Sequence, residues 1–198
     1  METQPTISPR NEPESQSVAP KQASSWLELV KFAVIALLIV TPIRMFVAQP
    51  FVVNGASMDP TFATGQYLII DELTYHFSAP KREDVIVLHD PREDSRFLIK
   101  RVIGLPGETI EITGSTVCIR PVKDATCKTL SEPFVKYPKT DDAVVRTLGP
   151  DEYFFMGDNR AQSLDARYIG PTTRDKIVGR AFIRLLPPQA ISFFPGSV

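Results

Sequence analysis

The sequence predicts a mainly β fold, an irregular antiparallel sheet or barrel-like domain behind one N-terminal transmembrane helix. Three observations predict it. Seven short apolar runs bounded by turn residues follow Phe51, one 21-residue apolar segment stands ahead of them, and 18 of the 198 residues are proline. Proline fixes φ and removes a backbone donor, so a chain rich in it favours turns and irregular β structure over long helices. A hydrophobic content of 43% supplies a core. A net charge of −1 with no basic repeat gives no electrostatic argument for nucleic acid, and no such partner is expected.

Residues 1–25, METQPTISPRNEPESQSVAPKQASS, contain no apolar cluster and are rich in Pro, Ser and Gln. They cannot bury enough surface to offset chain entropy, so a disordered tail is expected. Residues 26–46, WLELVKFAVIALLIVTPIRMF, have an unbroken apolar centre from Phe32 to Val40. As a helix they would run roughly 31 Å, close to the hydrocarbon thickness of a bilayer. Trp26 suits an interface, and Lys31 and Arg44 can snorkel toward opposite ends.

Two other readings compete for this segment. A cleaved leader needs small residues at −1 and −3; with Ala48 at −1 the −3 residue is Phe46, and the tail ahead is too long. A buried core helix is the second, because Glu28, Lys31 and Arg44 weaken the hydropathy. Arg10, Lys21 and Lys31 precede the apolar centre, whereas after Arg44 no Lys or Arg occurs until Lys81. This asymmetry keeps the tail in the cytoplasm and sends residues 47–198 to the outer face.

The body reads as strands at YLII (67–70), VIVL (85–88), FLIKRVI (97–103), TIEI (109–112), TVCI (116–119), EYFFM (152–156) and KIVGRAFI (176–183). Gly114-Ser115 separates two of them as a two-residue type II′ hairpin turn. GLPG (104–107) is a tight turn, and SLDARYI (163–169) suits a short helix. Cys118 and Cys127 flank a Pro/Lys/Asp loop and fit either a local disulfide in an oxidising compartment or two free thiols. They are too few for a zinc site, and no metal is expected.

The stretch VNGASMDPT (53–61) sets Ser57 behind two small residues, Gly55 and Ala56, which let another backbone come close. A serine hydroxyl attacks only when a base takes its proton. Both histidines, His76 and His89, sit in ordinary loop or strand-end contexts, although spacing alone leaves a Ser-His-Asp arrangement open. The G-x-S-x-G elbow is absent, since Asp59 stands in the last glycine's place, and S-x-x-K fails at Pro60. Lys100 lies inside FLIKRVI, where alternation puts it on one face with Leu98 and Val102, and Arg101 on the other with Ile99 and Ile103. Among apolar neighbours an ammonium loses hydration, and a pKa brought from about 10.4 to about 7–8 would make this lysine a base. A lysine snorkelling from a strand edge is the competing reading.

A third segment, MGDNRAQSLDARYIG (156–170), packs Asp158, Asn159, Arg160, Ser163, Asp165 and Arg167 into one polar run straight after EYFF. Behind a buried strand such a cluster is costly unless its members bond one another. A surface loop with a few ion pairs is the alternative.

In this order and spacing the three segments resemble the bacterial type I signal peptidases, membrane-anchored serine proteases with a Ser-Lys dyad. The resemblance covers roughly Gln49 to Phe182 and rests on GASMDPT (55–61), KRVIGLPGE (100–108) and GDNRAQSLDAR (157–167). It implies that Ser57 is the acylating nucleophile, Lys100 the general base, and Ser163 the residue that aims the lysine amine by a hydrogen bond. It further implies that Asp158, Arg160, Asp165 and Arg167 hold their loop, with Arg101 pairing to one of the aspartates. Phe51, Val53, Met58, Leu98 and Ile99 would line shallow pockets for small side chains.

The implied partners are signal-peptide-bearing preproteins and the lipid bilayer of the bacterial cytoplasmic membrane, with no metal or organic cofactor; a monomer is expected. Two departures stand out. Gly55 replaces a serine that in some members helps hold the oxyanion, which leaves backbone N–H groups, including that of Ser57, with Asn54 or a water as helper. Ala166 interrupts the usual D-S-R ending. The alternative function is an inactive membrane-tethered β-domain that binds exported peptides without cutting them. An autocleaving repressor with the same dyad would need a DNA-binding module where the apolar segment stands.

Overall fold

The alternating apolar runs fold as strands of two antiparallel sheets. The computed structural model describes residues 25–46, 48–122 and 126–197, so the tail expected over 1–25 lies outside the described residues apart from Ser25. In chain order the elements are α1 (Ser25–Phe46), β1 (Ala48–Val52), β2 (Tyr67–Asp71), α2 (Thr74–Phe77), β3 (Val85–Asp90), β4 (Glu93–Gly104), β5 (Thr109–Thr113) and β6 (Thr116–Arg120). There follow β7 (Lys128–Thr129), β8 (Ala143–Thr147), β9 (Glu152–Met156), α3 (Ala166–Ile169), β10 (Thr172–Thr173), β11 (Ile177–Leu186) and β12 (Ser192–Phe193). The chain divides into two compact units, Met1–Ile39 and Val40–Val198, and the second carries both sheets.

In the first unit α1 continues the apolar segment, and its side chains from Trp26 to Thr41 are all exposed. That stretch spans roughly 24 Å at 1.5 Å per residue. Among the described residues no helix is long and apolar enough to cross a membrane.

In the second unit the larger sheet runs β1-β2-β11-β3-β4-β9-β10, with β12 on β11, and the smaller runs β7-β6-β5-β8. The larger path ends at β1 and β10, so among the described residues it is an open sheet and not the hydrogen-bonded closure that a barrel requires. Strand β3 is covered on both faces: Ile86 and Leu88 join one apolar cluster with Val102, Phe154 and Phe155, while Val85 and Val87 join another with Met58, Phe62 and Leu68. Double coverage is why VIVL reads as a continuous apolar run and not as an alternation. The β5–β6 hairpin turns at Gly114, whose φ of 60° suits the first central position of a II′ turn. On β6, Cys118 is disulfide-bonded to Cys127 with Cα atoms 5.7 Å apart, which resolves the choice left open above.

Among the described residues the unfilled strand edges include those of β1 and of the first part of β4. Strand β1 pairs only with β2, and β4 meets β9 only from Arg101 onward, so its stretch before that residue pairs with β3 alone.

Candidate active site

Strand β1 delivers the chain to Ser57. Val53 N–H donates to the Gln66 carbonyl at 2.9 Å, and the backbone then turns at Gly55, where φ is 97°. Left-handed backbone of this kind favours glycine, and any side chain placed there would be strained. The turn is fastened from across the sheet. Asn159 N–H donates to the Ser57 carbonyl at 3.1 Å, and its Nδ2 donates to the Ala56 carbonyl at 3.1 Å. A Cβ on Gly157 would stand 2.3 Å from that same Ser57 carbonyl oxygen and 2.3 Å from Ser163 Oγ, so the approach is open only to glycine.

Lys100 reaches Ser57 from the centre of β4. Its Nζ lies 2.7 Å from Ser57 Oγ and donates to its neighbour's Ile99 carbonyl at 3.0 Å, and the residue is 3% exposed. Burial lowers its pKa to about 8; the nearby charges of Asp165, Asp158 and Asp90 oppose the shift, and Arg96 adds to it. At pH 7 about a tenth of such a group is neutral, against about 0.03% of an ordinary lysine.

The aspartates do not quench this effect because arginines already occupy them. Arg101 grips Asp158 through Nε at 2.8 Å and Nη2 at 2.6 Å, with both side chains 0% exposed. Its remaining donor, Nη1, reaches the carbonyls of Glu83 and Gly196, and the guanidinium lies 3.9 Å over the Phe134 ring. Arg167 grips Asp165 through Nε at 2.8 Å and Nη2 at 2.9 Å and also pairs with Asp142. Asp165 accepts from the Gly157 N–H at 3.0 Å, and Arg160 pairs with Glu132 while donating to the Gly157 carbonyl. Lys100 itself enters none of the ion pairs among the described residues.

Not every expected contact is made. Ser163 is buried close to Gly157, but its Oγ has no hydrogen-bond partner among the described residues, and the lysine amine uses Ser57 and Ile99 instead. A cleft of about 440 Å³ opens beside Ser57 and Lys100; Phe51, Val53, Leu98 and Ile99 line it, as do Asn54, Phe97 and Arg96. Met58 does not. It is 0% exposed and packs inward with Phe62 and Leu68, because the turn at Gly55 points Ser57 into the cleft and its neighbour into the core.

Sequence reasoning missed Asn159 as the anchor of the serine turn, although the residue sits in the GDNR box. It also missed Glu132 and Asp142, whose loop shows no periodicity, and the cleft-lining Arg92 and Arg96. Among the described residues neither imidazole bonds to Ser57 or Lys100: His76 Nδ1 bonds at the Glu72 carbonyl and His89 Nδ1 at the Asp94 carbonyl.

The chemistry open to this arrangement is proton transfer between a hydroxyl and an amine of which about a tenth is neutral at pH 7. The acid limb of kcat/KM in the free protein should therefore fall through a midpoint near 8, since protonation below that value removes the base. A limb centred near pH 4–5 or absent altogether would assign the proton to another group.

A family model described as "Signal peptidase, peptidase S26" matches residues 26–186. The chain is 34% identical over 176 residues to a signal peptidase I of Leptolyngbya laminosa, covering 85% of this chain and 83% of the relative. It is 33% identical over 169 residues to a probable signal peptidase I-2 of Synechocystis sp., with 83% and 75% covered. To signal peptidase I P of Bacillus subtilis subsp. natto it is 36% identical over 170 residues, with 80% and 88% covered. A match that takes in everything from the apolar helix through the end of β11 has one consequence: this chain belongs to the signal peptidases of peptidase family S26 and is a serine endopeptidase.

Proposed function

We propose that the chain removes N-terminal signal peptides from exported preproteins, with Ser57 as nucleophile and Lys100 as general base. One observation carries the reading: a buried amine with no ion-pair partner among the described residues lies 2.7 Å from a serine hydroxyl beside a cleft with an apolar wall. Neutral Lys100 takes the Ser57 proton as Oγ bonds to the scissile carbonyl carbon. The oxyanion that forms rests on backbone N–H groups, including that of Ser57, with Asn54 beside them. The lysine then passes its proton to the leaving amine as the C–N bond breaks. A water attacks the acyl-enzyme, gives its proton to Lys100, and Ser57 recovers its own as the carboxyl product departs. Asp158, Arg160, Asp165, Arg167 and Arg101 keep the loop in place. No step calls for a metal or an organic cofactor.

The substrate fits as an added strand. The unfilled edges of β1 and β4 border the same cleft, and an extended peptide laid between them would complete both ladders. Phe51, Val53, Leu98 and Ile99 then leave room for small side chains beside the scissile bond.

We infer also that the apolar segment of residues 26–46 anchors the chain in the bacterial cytoplasmic membrane, with the tail of residues 1–25 on the cytoplasmic side and residues 47–198 on the outer face. The support is the run of exposed apolar side chains on α1 and the charge asymmetry around it. Such a tether holds the site at the plane where signal peptides emerge.

Mass spectrometry of a preprotein incubated with the purified full chain tests the proposal. Release of the leader at a bond following small residues at −3 and −1 supports it. Binding without cleavage would favour the inactive peptide-binding alternative. In the same assay His76→Ala and His89→Ala are each expected to retain rates within about two-fold of the parent, and a large loss in either would restore a histidine base.

A further inference from the structure

The cleft carries an unbalanced charge away from the reacting atoms. Among its lining residues are Lys100, Arg92 and Arg96, and no carboxylate. The charge of Arg92 is matched, because its Nε and Nη2 grip Asp90 at 3.1 and 2.8 Å. Arg96 is exposed and enters no ion pair among the described residues. The nearest acidic side chains along the strand are engaged elsewhere: Glu93 with Ser95, and Asp94 with Lys176.

The backbone explains why this arginine is presented. On the β3–β4 ladder His89 faces Phe97 and Asp90 faces Glu93, so residues 94–96 have no counterpart and bulge from the sheet. Bulges re-aim side chains at the rims of sheets and beside active sites. Arg96 is four residues along β4 from Lys100, roughly 13 Å at about 3.3 Å per residue. The apolar wall of Phe97, Leu98 and Ile99 lies between them.

We propose that Arg96 recognises an acidic side chain on the bound preprotein, four to six residues to the amino side of the scissile bond. The inference rests on the function proposed above. If the apolar wall beside Lys100 takes the small side chains at −1 and −3, a strand continuing along the open edge of β4 brings the next residues to Arg96. A carboxylate there finds a cation that holds no ion pair among the described residues, and a lysine there meets repulsion.

The test uses the full chain in detergent and matched signal peptides carrying a single Glu, Gln or Lys at −4, −5 or −6, with a control series varied at +2. Affinity is measured by fluorescence anisotropy on the Ser57→Ala protein, and kcat/KM on the parent. The expected result is about two- to five-fold preference for Glu over Gln at one of the three positions, as for an exposed ion pair. Lys should be disfavoured there, the preference should shrink at high salt, and it should vanish in Arg96→Gln. A Glu/Gln ratio near one at all three positions, or one that survives in Arg96→Gln or appears only at +2, overturns the proposal. Failure of cleavage with the binding preference intact would strike the proposed function and leave the role of Arg96 standing.

Discussion

Ser57→Ala and Lys100→Met are each expected to lower signal-peptide cleavage by at least about 10³-fold, because each removes one half of the proton-transfer step. The two losses should not add, since a base without its hydroxyl and a hydroxyl without its base are equally idle. Only the lysine variant should also change stability. Its folded-state pKa of about 8 lies below the ordinary 10.5, so the unfolded chain binds the extra proton between those values. The stability Lys100 contributes is therefore complete above about pH 10.5 and lost as the pH falls through 8. Below that point the buried ammonium costs about 3 kcal/mol. Lys100→Met, with similar length and no charge, should unfold at higher denaturant than the parent at pH 6–7, and the advantage should fade toward pH 10. Urea melts at the two pH values check this. Equal stability at both would mean that the amine is hydrated, and the base assignment would fall with it.

Asp158→Ala should be the most damaging change to the fold. Removing the carboxylate leaves the Arg101 guanidinium wholly buried with its charge unanswered, a loss of about 3–5 kcal/mol. The Thr61 hydroxyl, which donates to Asp158 Oδ2 at 2.5 Å, loses its acceptor as well. Asp158→Asn keeps the shape and part of the hydrogen bonding and should cost less. The paired replacement Arg101→Met with Asp158→Leu should recover much of the stability, because a buried pair barely exceeds its own desolvation cost. Chemical denaturation of the four proteins settles the point. If Asp158→Ala is destabilised by less than about 1 kcal/mol, the pair is not the fastening described here.

What was legible in the sequence follows from what is local. The runs that became β2, β3, β4 and β9 are apolar because one or both faces are covered, and coverage writes itself into composition. Strand β8 left no such mark: Ala143, Arg146 and Thr147 are exposed along an edge, so nothing selects for alternation. The serine, the lysine and the polar box were readable because each sits in a compact motif. The acids that complete the box were not, since Glu132 and Asp142 approach Arg160 and Arg167 from a loop more than twenty residues away in sequence. Met58 misled for the opposite reason. The family resemblance placed it in a pocket, but one turn of backbone sends neighbours to opposite sides. Arg96 stayed hidden because a register break shows only once two strands are paired.

The guanidinium groups around Lys100 have a consequence for how the protein senses its surroundings. Arginine, unlike lysine, keeps its proton throughout the range in which a cell envelope varies. The two aspartates whose charges reach the amine are each held by a guanidinium that stays charged, so neither is free to form an ion pair with it. The amine can then gain or lose its charge without the pairs around it being rebuilt.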